Sequence, residues 1–328
     1  MLASSASGLG ESQNAMRKST MALVATIGLM AWALPASAQT QAETSPFRSL
    51  GLAAICDNCQ PEKFTSDCPG RLEGPNFDRS GNLWMVGIAP GDIYRVSPDG
   101  HCTTVAHSPA PTGLRIRADG RVFGVDHERG LFSIDPATLQ LTYITNQWNR
   151  QTFRGLDDLV FDKSGGIYMT DAYGSSALAP VGQLFYMRAD GEITRLISGN
   201  LAFPNGVSLS PDEKMLYVDD WGTNRIFAIP VVSPGRINVE GAYVFAYLTG
   251  GHGPDSMTVD AKGNVYAAHY GLGEVVVFDP HGNVYGAIRL PNGSGLLTTN
   301  VALHDGYLYI TEVEQHTVWR VRTKIPQE

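Results

Sequence analysis

Six copies of one pattern decide what this chain can fold into. In each copy an apolar, alternating stretch runs into a turn centred on Asp or Gly, and a second apolar stretch follows. The copies span residues 77–84, 116–123, 161–168, 209–217, 259–266 and 303–309. Turns of this composition between alternating stretches read as β-hairpins. The first apolar residue after each turn is Leu83, Val122, Ile167, Leu216, Val265 or Leu308, at separations of 39, 45, 49, 49 and 43 residues. A period of roughly 40–50 residues made of strands and turns indicates a propeller in which each repeat is one four-stranded blade. A third strand is predicted after each hairpin, at 93–96, 131–134, 184–187, 225–229, 275–278 and 317–321. Hairpins and third strands agree on an all-β, six-bladed β-propeller over residues 71–328, with four-stranded blades around a central channel. The sixth repeat supplies no outer strand of its own, so another segment must cover that edge. Residues 47–56 are the spare apolar stretch ahead of the first repeat, and they are the predicted closing element.

The residues before the repeats read as an address. Arg17 and Lys18 precede an apolar stretch from Met21 to Leu34, and Pro35-Ala36-Ser37-Ala38 follows. This is the layout of a signal peptide over residues 16–38, cut after Ala38. Met16 is then the natural start, and residues 1–15 are an upstream extension from a misplaced one. A membrane anchor is the rival reading, but 14 apolar residues rise only about 21 Å as a helix, against a hydrocarbon core of roughly 30 Å. A periplasmic or secreted protein is expected, with no membrane contact after cleavage. Residues 39–70 then form an N-terminal segment holding three of the four cysteines, Cys56, Cys59 and Cys68, with Cys102 beyond it. In an oxidising compartment an even count suggests disulfides, with three pairings open. Cys56-x-x-Cys59 also has zinc-ligand spacing, but Cys68 and Cys102 offer no matching close pair.

Charge narrows the class of partner. The chain has 24 Lys+Arg against 32 Asp+Glu, a formal net charge of −8. That excludes the basic footprint of a general nucleic-acid binder. No Gly-x-x-x-x-Gly-Lys loop is present, and Gly174-Ser175-Ser176 lacks the Gly-x-Ser-x-Gly elbow of a serine nucleophile.

In a propeller the residues opening the innermost strands crowd around the channel mouth. Ten positions before each anchor stand Glu73, Thr112, Asp157, Gly206, Asp255 and Thr298, and the longer fourth turn moves its equivalent to Asn205. Glu73, Asp157, Asn205 and Asp255 are thus expected to converge from four blades. Three carboxylates so placed repel one another unless a cation compensates. Oxygen donors from Glu, Asp and Asn describe a hard cation, Ca²⁺ ahead of Mg²⁺, with Zn²⁺ and Mn²⁺ as further divalent candidates. The bland alternative is that Asp and Asn merely cap strand starts, as they commonly do. Four in equivalent register favour the metal site.

Several blocks carry a family resemblance: Leu72-Glu73-Gly74-Pro75, Pro204-Asn205-Gly206-Val207 with Ser210-Pro211-Asp212, and Gly253-Pro254-Asp255-Ser256. Together they resemble the SMP-30/gluconolactonase/LRE-like family of six-bladed propellers, over residues 71–320. Asp157-Asp158 replaces the Asn-Asp of many members. With Ala268-His269-Tyr270-Gly271, it makes the chain most similar to the Drp35-type calcium-dependent lactonases. The resemblance implies a catalytic Ca²⁺ held by Glu73, Asp157, Asn205, Asp255 and Ser256, with Asp255 as acid/base. Asp157 would be either a ligand or a second acid/base. A second, structural Ca²⁺ of some relatives finds no matching ligands.

A Ca²⁺ with open positions could polarise a lactone carbonyl while a carboxylate takes a proton from water and returns it to the leaving alkoxide. The expected function is therefore hydrolysis of a small-molecule lactone. Two rivals are the same metal site acting on another ester or an organophosphate, and a non-catalytic binding platform with a structural metal. His127, His252 and His269 could line the channel, although a lone loop histidine is more often solvated or simply hydrogen-bonded. Tyr173, Trp221 and Tyr270 form either a pocket rim or packing between blades.

Overall fold

A computed structural model describes residues 51–325. The features expected at 1–15 and 16–38, including the cut after Ala38, lie outside the described residues. Each repeat forms an antiparallel sheet in sequence order. The inner strands are Leu72–Phe77, Pro111–Ile116, Leu156–Phe161, Pro204–Leu209, Gly253–Val259 and Thr298–His304. Each packs on its two neighbours, and the sixth returns to the first, which closes a ring. The fold is a six-bladed β-propeller. The predicted third strands appear as Asp92–Val96, Gly130–Ile134, Gly182–Met187, Arg225–Ser233, Glu274–Phe278 and Thr317–Arg322.

Burial explains why the second strands read as apolar runs. Leu83–Gly87, Val122–Asp126 and Ile167–Asp171 are buried at every residue because a blade lies against each face. Outer strands such as Cys102–His107 and Leu141–Thr145 are half exposed and carry little periodic signal. Blades are cross-linked near the axis by hydroxyls that donate to the next blade's backbone. Thr112 Oγ1 reaches Leu156 O at 3.0 Å, Thr170 Oγ1 reaches Asn205 O at 2.6 Å, and Thr299 Oγ1 reaches Leu72 O at 2.7 Å across the ring closure. No helix among the described residues is long and apolar enough to cross a membrane.

The closing strand is not the one predicted. Glu62–Thr65 pairs antiparallel with Thr317–Arg322 and completes the sixth blade. Of the predicted 47–56, residues 47–50 lie outside the described residues. Leu52–Ala54 makes a single 3-10 turn instead, and Ile55 and Cys56 sit in the core between blades five and six. That apolar stretch plugs an interblade gap. The edge itself is covered by Glu-Lys-Phe-Thr, whose charged Glu62 and Lys63 face solvent, as an outermost strand requires, while Thr65 is buried.

Two disulfides form, Cys56–Cys59 and Cys68–Cys102, and no free cysteine remains among the described residues, which removes the zinc reading. The second ties the segment just after the closing strand to the outer strand of blade one, across 34 residues. Loop entropy makes it the stronger staple. Replacing Cys68 and Cys102 by alanine is expected to cost about 4 kcal/mol, and the three-residue Cys56–Cys59 loop less than about 2 kcal/mol. Urea melts of the two double variants check this; equal losses would contradict it.

Candidate metal centre

The hairpin pairings fix which residues are equivalent. Phe77, Ile116, Phe161, Leu209, Val259 and Leu303 each face the first residue after the turn. Four positions earlier stand Glu73, Thr112, Asp157, Asn205, Asp255 and Thr299. Five of these match the sequence count. The sixth is Thr299 rather than Thr298, because the last turn is one residue shorter than the common form.

Each inner strand then slips in register at this same place. A bulge sets two successive residues against one on the partner strand. The channel therefore receives not only the counted residue but its successor: Gly74, Gly113, Asp158, Gly206, Ser256 and Asn300. Asp158 and Asn300 are the functional groups that counting missed, because alternation assigns successive residues to opposite faces.

Glu73, Asp157, Asn205 and Asp255 are 5 % to 7 % exposed, and each has a hydrogen-bond partner. Asn205 Nδ2 donates to Asp255 Oδ1 at 2.6 Å. Asn300 Nδ2 donates to Glu73 Oε2 at 2.8 Å, and the Gly74 N–H binds the same oxygen. His127 Nε2 lies 2.9 Å from Asp157 Oδ2. Asp158 receives Arg115 at 3.0 Å, Ser256 Oγ at 2.9 Å and the Leu159 N–H at 2.8 Å. Ser256 is thus brought to the same floor of the channel, but its hydroxyl proton is committed to Asp158.

Electrostatics point the same way. Burial, then the charge of Asp255, holds the Glu73 carboxyl well above the usual range. Burial, then Asp157, does the same to Asp255, with Arg71 opposing. Asp219, fully buried beneath them, is raised by burial and by Asp255. Burial works against charging His127, but its bond to Asp157 and that carboxylate's charge raise its pKa overall.

These donors suit a hard divalent cation. They are oxygens, three of them carboxylates that raise the cost of one another's charge, and a dication would relieve that cost. Among the described residues no three His, Cys, Asp or Glu groups form a cage by themselves. Each carboxylate instead leans on a neutral or imidazole partner: Glu73 on Asn300, Asp157 on His127 and Asp255 on Asn205.

Aromatic rings gather near these side chains. Trp221 lies 5.6 Å from Phe203, 6.0 Å from His252 and 6.4 Å from Tyr270, and Tyr173 lies 5.4 Å from His127. Tyr173 is exposed, Trp221 and Tyr270 partly so, which favours the rim over the interblade reading. Phe203 holds a positive φ of 86° directly before Pro204, a strained conformation for a bulky residue and one often found beside functional sites. His269 is different. It is buried between Glu274 at 3.2 Å and Gly250 O at 3.0 Å, and it serves the fold. A cavity of about 670 Å³ opens at the other end of the inner strands, lined by Phe77, Arg115, Phe161 and His304 and by none of the counted residues.

The sequence model of the SMP-30/gluconolactonase/LRE-like region matches residues 72–314. The chain belongs to this family. Within the family's wider kin, a Staphylococcus epidermidis protein named Lactonase drp35 is 33 % identical over 274 residues, spanning 79 % of this chain and 83 % of the relative. A gluconolactonase structure from Xanthomonas campestris superposes with a TM-score of 0.73 at 23 % identity, covering 83 % of this chain and 92 % of that one. A calcium-binding regucalcin from Agrobacterium tumefaciens gives 0.68 at 23 % identity, covering 80 % and 94 %. Both structural likenesses establish the fold alone. The SMP-30/gluconolactonase/LRE-like match covers all six inner strands and every counted residue.

Proposed function

We propose that this protein is an exported, calcium-dependent lactonase that opens a small cyclic ester by hydrolysis. The observation that carries the reading is the set Glu73, Asp157, Asn205 and Asp255, buried in one register on four inner strands. The relative named Lactonase drp35 supports the activity, and the regucalcin described as calcium-binding supports the ion. The two disulfides support export to an oxidising compartment.

Glu73, Asp157, Asn205 and Asp255 would hold the cation, with Ser256 completing the set through its oxygen. Ca²⁺ bound there supplies a Lewis acid toward the lactone carbonyl oxygen. Asp255 is the acid/base. Asn205 fixes Oδ1, which leaves Oδ2 to take a proton from the attacking water and return it to the departing alkoxide. His127 orients Asp157, and Arg115 with Ser256 locks Asp158 below. The aromatic rim shields the opening from bulk water.

A panel of lactones assayed on metal-stripped and Ca²⁺-reloaded protein tests the reading. A second expectation concerns the ion alone. Glu73→Gln removes one charge while keeping an amide acceptor for Asn300. Calcium affinity should fall about tenfold or more by calorimetry, because ligand charge count sets affinity in oxygen sites. Unchanged binding would remove Glu73 from the set.

A further inference from the structure

The fourth blade departs from the repeat at one buried position. Three places beyond the hairpin anchor, on the second strand, the blades carry Val86, Val125, Thr170, Asp219, Ala268 and Thr311 in turn. Three blades fill the position with an apolar side chain. In blades three and six a threonine has a defined contact. Thr170 Oγ1 accepts the Asp158 N–H at 3.0 Å, and Thr311 Oγ1 accepts the Asn300 N–H at 3.0 Å. Each of those N–H groups belongs to the second residue of its own inner-strand bulge.

Blade four places a carboxyl there instead. Asp219 is 0 % exposed, and its oxygens make no full hydrogen bond among the described residues, with only a weak approach from the Gly206 N–H. A polar group buried without a full hydrogen bond lowers stability, and its presence calls for an explanation. Its surroundings give one. The equivalent bulge residue in blade four is Gly206, directly after Asn205. A Cβ on Gly206 would run into Asp219 Oδ2 and would lie 2.7 Å from Ser256 Oγ, on the residue directly after Asp255. Asp219 and Ser256 thus both border the space beside Gly206, whose chain neighbour Asn205 bonds to Asp255, the neighbour of Ser256.

We propose that Asp219 is a positioning residue, which props the fourth bulge at Gly206, abuts the fifth inner strand at Ser256, and so sets the reach of Asn205 to Asp255. The consequence for turnover rests on the proposed lactonase reading; the consequence for geometry does not.

Two variants built from the chain's own repeats test it. Asp219→Val copies blades one and two, and Asp219→Thr copies blades three and six, so the equivalent positions of this fold accept both. Loss of a buried, weakly partnered carboxyl should raise the Tm of Asp219→Val. Its kcat should fall about tenfold or more, with KM changed less than about twofold, because small misplacements of reacting groups are costly. Asp219→Thr, whose hydroxyl can accept the Gly206 N–H, should keep kcat within about threefold. A merely structural residue would move Tm and kcat together. Crystal structures give the second readout: the Asn205 Nδ2 to Asp255 Oδ1 distance should open beyond about 3.5 Å in Asp219→Val and stay bonded in Asp219→Thr. This arm decides the proposal even if the wild type opens no lactone, so the two failures are distinguishable. An unchanged distance in Asp219→Val, or equal impairment in both variants, overturns it. Should Asp219→Val fail to fold, Asp219→Ala, matching Ala268, takes its place in both measurements.

Discussion

At saturating calcium Asp255→Asn is expected to lower kcat by about 10²–10⁴-fold, the range that general acid–base catalysis contributes, with the ion still bound though about tenfold more weakly. The substitution is nearly isosteric. Its amide oxygen can still accept from Asn205, which now donates to Oδ1 at 2.6 Å, so the inner strands keep their spacing. What disappears is the basic oxygen. The side chain is buried beside Asp157, and burial and that charge both raise its pKa. Calcium retention is read separately, as a ligand-dependent rise in Tm. A variant that binds calcium and turns over substrate at the wild-type rate would remove Asp255 from the chemistry.

Deleting residues 51–66 is expected to cost about 5 kcal/mol or more, against a total stability of about 5–15 kcal/mol for typical domains. The segment buries Ile55, worth about 1.5–3 kcal/mol, and packs the partly buried Leu52 and Phe64 against blades five, six and one for somewhat less each. It also covers the edge of Thr317–Arg322, where Glu62 binds Arg320 Nε at 2.7 Å and Phe64 meets Tyr309 edge-on at 5.2 Å. Thermal melts should fall by about 10 °C or more, with aggregation through the bared edge. Replacing only 62–65 by Gly and Ser isolates the strand from the plug. Unchanged melting in both would show that the ring closes without this segment.

Much of this architecture was legible because hairpin turns carry their own chemistry. Asp/Gly turns such as Asp78–Asn82 and Asp260–Asn264 are held by the first Asp accepting backbone N–H groups, and that need repeats in the sequence. Spacing then gave blade number and third strands. The closing strand was not legible. Four residues that grade from exposed Glu62 to buried Thr65 have no periodic apolar pattern, whereas 51–56 is apolar for a different reason, packing in an interblade gap.

The candidate site divides in the same way. Glu73, Asp157, Asn205 and Asp255 follow from register alone. Asp158, Asn300 and Asp219 do not, since they owe their place to bulges and to a residue of the second strand directly beneath them. His127 was readable only as one histidine among several. Its 2.9 Å approach to Asp157 depends on how blades two and three abut, which no local pattern encodes.

The central claim is that oxygen groups far apart in the chain act together on a cyclic ester around one divalent ion. Hydrolysis of a lactone panel, followed on EDTA-treated protein before and after calcium is restored, tests it most directly. The account predicts no turnover of any lactone without the ion and recovery for at least one when it returns. Full activity in the stripped protein would contradict it.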